Sequence, residues 1–449
     1  MKPPRAHRPR DREESLLLLA ISRAASVDEP PDDALRGAAL ALADGPFRWE
    51  TFLGLARRHS SIAATYRFVA DTGLENRVPA EILRAMKLGY ALAQATYIKN
   101  LIELRELAEG LRRGGVPALV MKGIPLAARL YTEPSVRVSK DIDLLCRIED
   151  LQRVERLLEE EGYSLHQGRL GGDLYRRHHY HLVYSRGQTS ESVVEIHWNV
   201  RHPGKGALID TGALFDTAVL SDIAGTPLPA LDDPRSLWQL AVNLAYGGFL
   251  EARDLGDLRR LAHGLSGEDW ESVAAFSRRT GTFNELSTAL AVAEKTFGPF
   301  VPHEYRSVTR PPFCVRTMFL PPYTPRAVAW RWLPFGGAQR LSVNLFMRQG
   351  LGRKLRYLYH IVIPDTASLI ETRAARAAPT RIADRIRLYI AGAWIAAKVI
   401  AAGVLLGPLS KAGFLANGWA DPERHVDLGA APREAGSKTA PHRAGPAAK

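Results

Sequence analysis

Lys140-Asp141-Ile142-Asp143-Leu144-Leu145 sets two carboxylates inside a short apolar run. Successive strand side chains alternate faces, so on a strand Asp141 and Asp143 share one face, roughly 7 Å apart at about 3.3 Å rise per residue. Like charges side by side on a half-buried strand are costly unless a positive group lies between them. A divalent cation is the simplest such group. Acidic residues fill 48 of 449 positions, so an acid-x-acid triplet recurs by chance about five times at such a composition. The apolar Ile142 between the acids, with Leu144 and Leu145 behind them, separates this pair from ordinary solvated ones. Upstream, Val120-Met121-Lys122-Gly123 reads as the end of another buried strand followed by a glycine turn.

Around this stretch the pattern is that of a compact α/β unit. Pro117 to Met121 is a short β run, and Ile124 to Tyr131 has helix length. Ile148 to Glu161 is strongly amphipathic and closes at Gly162. Tyr175 to Ser185 and Ser192 to Val200 flank a polar turn and form a hairpin. The unit, residues 114–203, implies a small mixed sheet. Before it, residues 15–113 read as helices, the last opening at Pro79 and ending at Gly114-Gly115 with an apolar stripe through Ile82, Met86, Ala93 and Leu104. After Pro203 the chain reads as helical again, over 204–300 and then 301–420. Residues 1–14 and 421–449 read as disordered tails.

Composition narrows the class. At 46% hydrophobic and 24% charged the chain is globular, and two cysteines make neither a disulfide framework nor a zinc site on their own. A formal charge of +12 favours polyanionic contacts: nucleotide phosphates, nucleic acid or an anionic membrane. A cytoplasmic location fits. Leu388 to Leu409 is nearly unbroken apolar sequence, about the length that spans a bilayer. Lys398 near its middle would cost roughly 3 kcal/mol there, which favours a buried or membrane-surface helix and leaves peripheral membrane association open.

The chemistry-bearing candidates follow from this frame. Two-metal phosphoryl transfer needs carboxylates that hold the ions. Asp141 and Asp143 supply two. Glu195, alternating with apolar residues in Val193-Val194-Glu195-Ile196-His197-Trp198, is the candidate third. Lys122 and Gly123, between a strand and a helix, can meet phosphate; Lys122 can also contact a carboxylate. Arg137 is a candidate for the γ-phosphate. His178, His179, His181 and His197 raise a zinc reading, against which His197 is better read as orienting Glu195 or contacting substrate. Asp254 and Asp257, on an amphipathic helix, could contact nucleotide or acceptor but are better read as a solvated face.

Taken in order, Val120 to Tyr131, Arg137, Asp141-Ile142-Asp143-Leu144-Leu145, Leu157 to Tyr163 and Val194-Glu195-Ile196-His197-Trp198 resemble the bacterial uncharacterised nucleotidyltransferase family, within the DNA polymerase β-like nucleotidyltransferase superfamily. The likeness covers roughly residues 80–300. It implies an α+β fold with a polymerase-β-like mixed sheet flanked by N- and C-terminal helical regions. It also implies transfer of a nucleoside monophosphate from a nucleoside triphosphate to an acceptor hydroxyl, with Asp141, Asp143 and Glu195 as ligands of Mg²⁺ (two ions, or Mn²⁺ in their place). The superfamily's commoner Gly-Ser or Gly-Gly turn is Gly123-Ile124 here. The acceptor, base preference and oligomeric state are left open by the sequence. So are two rivals: a catalytically silent nucleotide-binding protein, and a membrane-surface scaffold in polysaccharide or peptide-modification pathways.

Overall fold

The computed structural model describes residues 12–26, 32–165, 179–186, 192–201, 209–331 and 343–362, together with Trp394 and Ala397. Five helices lead: α1 (Arg12–Arg23), α2 (Asp33–Leu42), α3 (Trp49–Arg58), α4 (Ile62–Asp71) and α5 (Ala80–Arg113). Asp32 caps α2 by accepting the Leu35 amide at 2.7 Å, satisfying one of the free donors at a helix start. At about 1.5 Å per residue, the 34 residues of α5 span about 50 Å. Ile82, Met86 and Ala93 bury its first half in one apolar core. Leu104, Leu107 and Leu111 bury its second half in another.

That second core lies against a seven-stranded sheet. The strands are β1 (Ala118–Met121), β2 (Ile142–Cys146), β3 (Tyr163–Leu165), β4 (His181–Arg186), β5 (Ser192–His197), β6 (Val219–Ile223) and β7 (Thr226–Ala230), in the order β3-β4-β5-β2-β1-β7-β6. Pairing is parallel at β2/β5 and β1/β7 and antiparallel elsewhere. The protein is therefore an α+β fold, a mixed sheet among many helices. Between β1 and β2 runs α6 (Gly123–Leu130), and between β2 and β3 runs α7 (Leu151–Glu160). Alternation divides β2 and β5. Ile142, Leu144, Cys146, Val194 and Ile196 join the α5 and α7 side chains in the second core. On the other face, Leu145 of β2 and Met121 of β1 enter the first core, and Asp143, Glu195 and His197 share that face by alternation.

The stretch after Pro203 departs from its helical reading. It supplies β6 and β7, a hairpin that continues the sheet beside β1. Pro227 and Pro229 hide β7 in the sequence, because proline is poor in sheet interiors. The turn itself is well specified: Ala224 and Gly225 both take positive φ, +49° and +80°, as a two-residue type I′ hairpin requires. Beyond it, α8 (Asp233–Tyr246), α9 (Ala252–Gly264), α10 (Gly267–Arg279) and α11 (Phe283–Phe297) pack onto the first core. Segment 388–409 lies outside the described residues apart from Trp394 and Ala397, as do residues 1–11 and 421–449. Among the described residues no helix is long and apolar enough to cross a membrane.

Candidate active site

Strand register assembles the polar cluster. β2 and β5 run parallel with Asp143 directly opposite Glu195 and Leu145 opposite His197. β4 adds His181 opposite His197. Asp141 precedes β2 and is held by Ser139, whose hydroxyl lies 3.1 Å from the Asp141 carbonyl and 3.3 Å from its carboxylate. The next turn inward is Lys122, at the end of β1. Its ammonium lies 2.5 Å from Asp143 Oδ1 and 4.0 Å from Glu195 Oε2. His197 Nε2 lies 2.9 Å from Asp143 Oδ1 and 3.1 Å from Glu195 Oε2, an arrangement that calls for the proton on Nε2. Asp143 and His197 are buried, whereas Lys122 and Glu195 are a quarter and a fifth exposed.

Electrostatics separate the two aspartates. Burial, with Asp143 and Glu195 nearby, pushes the Asp141 carboxyl up to about 6. Burial acts the same way on Asp143, but the Lys122 ammonium and the His197 hydrogen bond outweigh it and hold Asp143 well below the usual carboxylate range. Burial would lower Lys122; Asp143, Glu195 and Asp141 instead raise it. Burial and the neighbouring His197 and His179 rings hold His181 neutral, down to about 2. Three carboxylates thus face one ammonium, and negative charge remains uncompensated at Asp141.

The donor chemistry suits a small divalent cation. Asp141, Asp143 and Glu195 offer hard oxygen donors, the preference of Mg²⁺ and Mn²⁺. Among the described residues the one group of three His, Cys, Asp or Glu side chains whose ligand atoms all lie within 4.8 Å of one another is His181, Glu195 and His197, which includes neither aspartate. Of the histidines read as a zinc set, His178 lies outside the described residues and His179 Nδ1 sits 2.9 Å from the His181 carbonyl.

Gly123 and Arg137 have their own placements. A Cβ on Gly123 would stand 1.9 Å from Ser139 Oγ and 2.5 Å from Ser139 Cβ. The absent side chain is what lets the 137–139 loop press against the start of α6. Lys122 beside it takes φ +54°, a left-handed conformation that costs a non-glycine residue about 1–3 kcal/mol and recurs at functional turns. Arg137 is buried. Its Nε donates to Asp257 at 2.7 Å, and its guanidinium lies 3.6 Å from Asp254. Asp257 is fully buried, not a solvated face, because Tyr131 and Arg137 both donate to it. Asn100 of α5 donates to the Ser139 carbonyl at 2.9 Å and Arg253 of α9 to the Val138 carbonyl at 2.9 Å. Sequence reasoning missed Ser139, Asn100 and Arg253. Only Asp257 left a signal: it stands four residues before Leu261, on the helix's apolar stripe.

The family described as uncharacterised nucleotidyltransferase matches residues 45–298, more than half of the chain. The chain belongs to this family. That stretch contains every residue of the polar cluster, and family membership makes nucleotidyl transfer the class of chemistry for the protein. No curated protein matches the chain. Two structures of ANT(2'')-Ia overlap 40% of this nucleotidyltransferase-family chain at 16% identity and a TM-score of 0.30. One is a crystal structure in complex with adenylyl-2''-tobramycin, covered over 98% of its length. The other is a solution structure of the same antibiotic-resistance factor, covered over 93%. At that score the overlap does not bear on the chemistry of the cluster.

Proposed function

We propose that the protein is a metal-dependent nucleotidyltransferase that moves a nucleoside monophosphate from a nucleoside triphosphate to an acceptor hydroxyl, on a polymerase-β-like sheet. One observation carries this reading: Asp143 and Glu195 lie opposite each other on two parallel strands, Asp141 immediately precedes the first of them, and the three outnumber the one ammonium among them. These three carboxylates would hold Mg²⁺, or Mn²⁺, which when bound would supply charge neutralisation at the triphosphate and activation of the attacking hydroxyl. The chain's own groups do the rest. His197, donating from Nε2, orients Asp143 and Glu195. Lys122 serves as counter-ion to Asp143 and is the cation nearest to incoming phosphate oxygens, beside the Gly123 backbone. Arg137, engaged by Asp257, braces this turn from behind and does not touch the triphosphate.

The test is transfer from labelled nucleoside triphosphates to a panel of hydroxyl acceptors, with Mg²⁺ or Mn²⁺, read as pyrophosphate release. Asp141→Asn with Asp143→Asn is expected to lower turnover at least about 10²- to 10³-fold, the size of losing one charge-stabilising group in other active sites, with the circular dichroism spectrum retained. Unchanged turnover in the double variant would refute the assignment.

One observation favours a second reading. The Lys122 ammonium already sits on Asp143, as it would in a silent member that binds nucleotide without transferring it. Calorimetry with ATP and Mg²⁺, beside turnover, separates the two. Binding without turnover across the panel supports the silent form.

A further inference from the structure

A second charged cluster lies past the end of β5. Arg201, Arg279, Arg348 and Arg353 line a cavity of about 330 Å³, at the small end of ligand sites. Arg279 and Arg353 are exposed, and Arg201 is buried at the back, bonded to Glu285. Among the described lining residues Asp210 is the one acid. Four arginines stand against that one acid among the described lining residues.

Each guanidinium is pre-positioned. Arg348 stacks on Tyr357 with its Cζ 4.3 Å from the ring centre, and Arg279 lies over Phe276 at 5.2 Å. Arg353 passes over bare backbone at Gly281, where a Cβ would stand 2.6 Å from its Nη1. Like charges gathered around one cavity repel unless an anion joins them. Planar guanidinium forks held by aromatic stacking are suited to bidentate recognition of phosphate oxygens.

We propose that this arginine-lined cavity binds a small ligand carrying two or more phosphate groups. Its position relates it to the carboxylate cluster. Arg201 follows His197 by four residues. The Tyr180 ring lies 5.7 Å from the His197 ring and 6.3 Å from that of Tyr246, and Tyr246 acts electrostatically on both Arg201 and Arg348. On the transferase reading, the cavity receives a phosphorylated portion of the acceptor. That clause rests on the proposed function; the binding does not.

The experiment is calorimetric titration of the full chain in EDTA, without Mg²⁺, using pyrophosphate, inorganic phosphate and citrate as probes. Pyrophosphate is expected to bind at least tenfold more tightly than either inorganic phosphate or citrate. Arg279→Gln with Arg353→Gln is expected to weaken pyrophosphate at least tenfold at unchanged Tm, and Arg353→Gln alone gives a smaller loss if the pair does not fold. Asp143→Asn is expected to leave pyrophosphate binding unchanged. No pyrophosphate binding, an undiminished affinity in the arginine variants, citrate binding as tightly, or loss of binding in Asp143→Asn would each overturn the proposal. Failure of transfer in the wild type with intact pyrophosphate binding would instead remove only the transferase reading.

Discussion

Two carboxylate clusters differ in how fully basic groups engage their acids. Around Asp257, three arginines (Arg137, Arg253 and Arg260) meet two aspartates (Asp254 and Asp257), and Tyr131 completes the hydrogen bonding. Asp257, Arg137 and Arg260 are buried. Around Asp143, three carboxylates meet one ammonium, and Lys122, Asp141 and Glu195 are all partly exposed. A network in which arginine engages every acid braces a fold. An open network with acid in excess has work left for a cation. Arg137 belongs to the first network, its guanidinium engaged by Asp257.

Removing the partner from each network is the most forceful test of that contrast. Asp257→Asn leaves two buried arginines under-compensated and is expected to cost about 3–5 kcal/mol, the range for breaking a buried ion pair. Asp141→Asn, in chelator, is expected to stabilise the fold by up to about 3 kcal/mol at pH 7, because it removes a charge whose carboxyl is held up at about 6. Urea unfolding of both variants measures this. A destabilised Asp141→Asn or a neutral Asp257→Asn would erase the distinction.

The two aspartates also predict opposite pH signatures. Arg137 and Arg260 override burial and hold Asp257 below its ordinary value. Its contribution is therefore present above about pH 4 and lost as pH falls through the lower, folded value. Asp141 is raised, so the folded state binds the extra proton and stability falls as pH climbs from about 4 to about 6. In chelator, the Tm difference between wild type and Asp257→Asn should shrink below pH 4. The gain in Asp141→Asn should vanish by pH 4 and be complete above pH 6. Matching profiles for the two variants would break the comparison.

A smaller effect sharpens the role of the turn. Gly123→Ala drives a methyl group into Ser139 and is expected to cost about 1–3 kcal/mol, as overpacking does. Ser139→Gly should relieve it, so the double-variant cycle should show coupling; additive costs would remove the steric account. Smallest is Ser139→Ala, which loses its bonds to Asp141 and should cost about 0.5–1.5 kcal/mol in thermal unfolding.

Local periodicity exposed most of the frame. The apolar stripe of α5, the alternation through β2 and β5 and the amphipathic α7 all appear as structured elements, because each buries one face and spacing records which. The β6–β7 hairpin was hidden by Pro227 and Pro229, and only its pairing with β1 gives those residues a strand. Side-chain alternation also put Glu195 and His197 on one face, and the parallel register of β5 on β2 brings that face to Asp143.

The sequence by itself determined that Asp141 and Asp143 open a buried strand and that Glu195 alternates out of another, since period-two patterning is local. Tertiary structure alone decided which cation each acid meets. Lys122 reaches Asp143 across adjacent strands, and Arg137 reaches Asp257 across 120 residues of chain. Spacing carries no record of such pairings, because they depend on how separate elements dock.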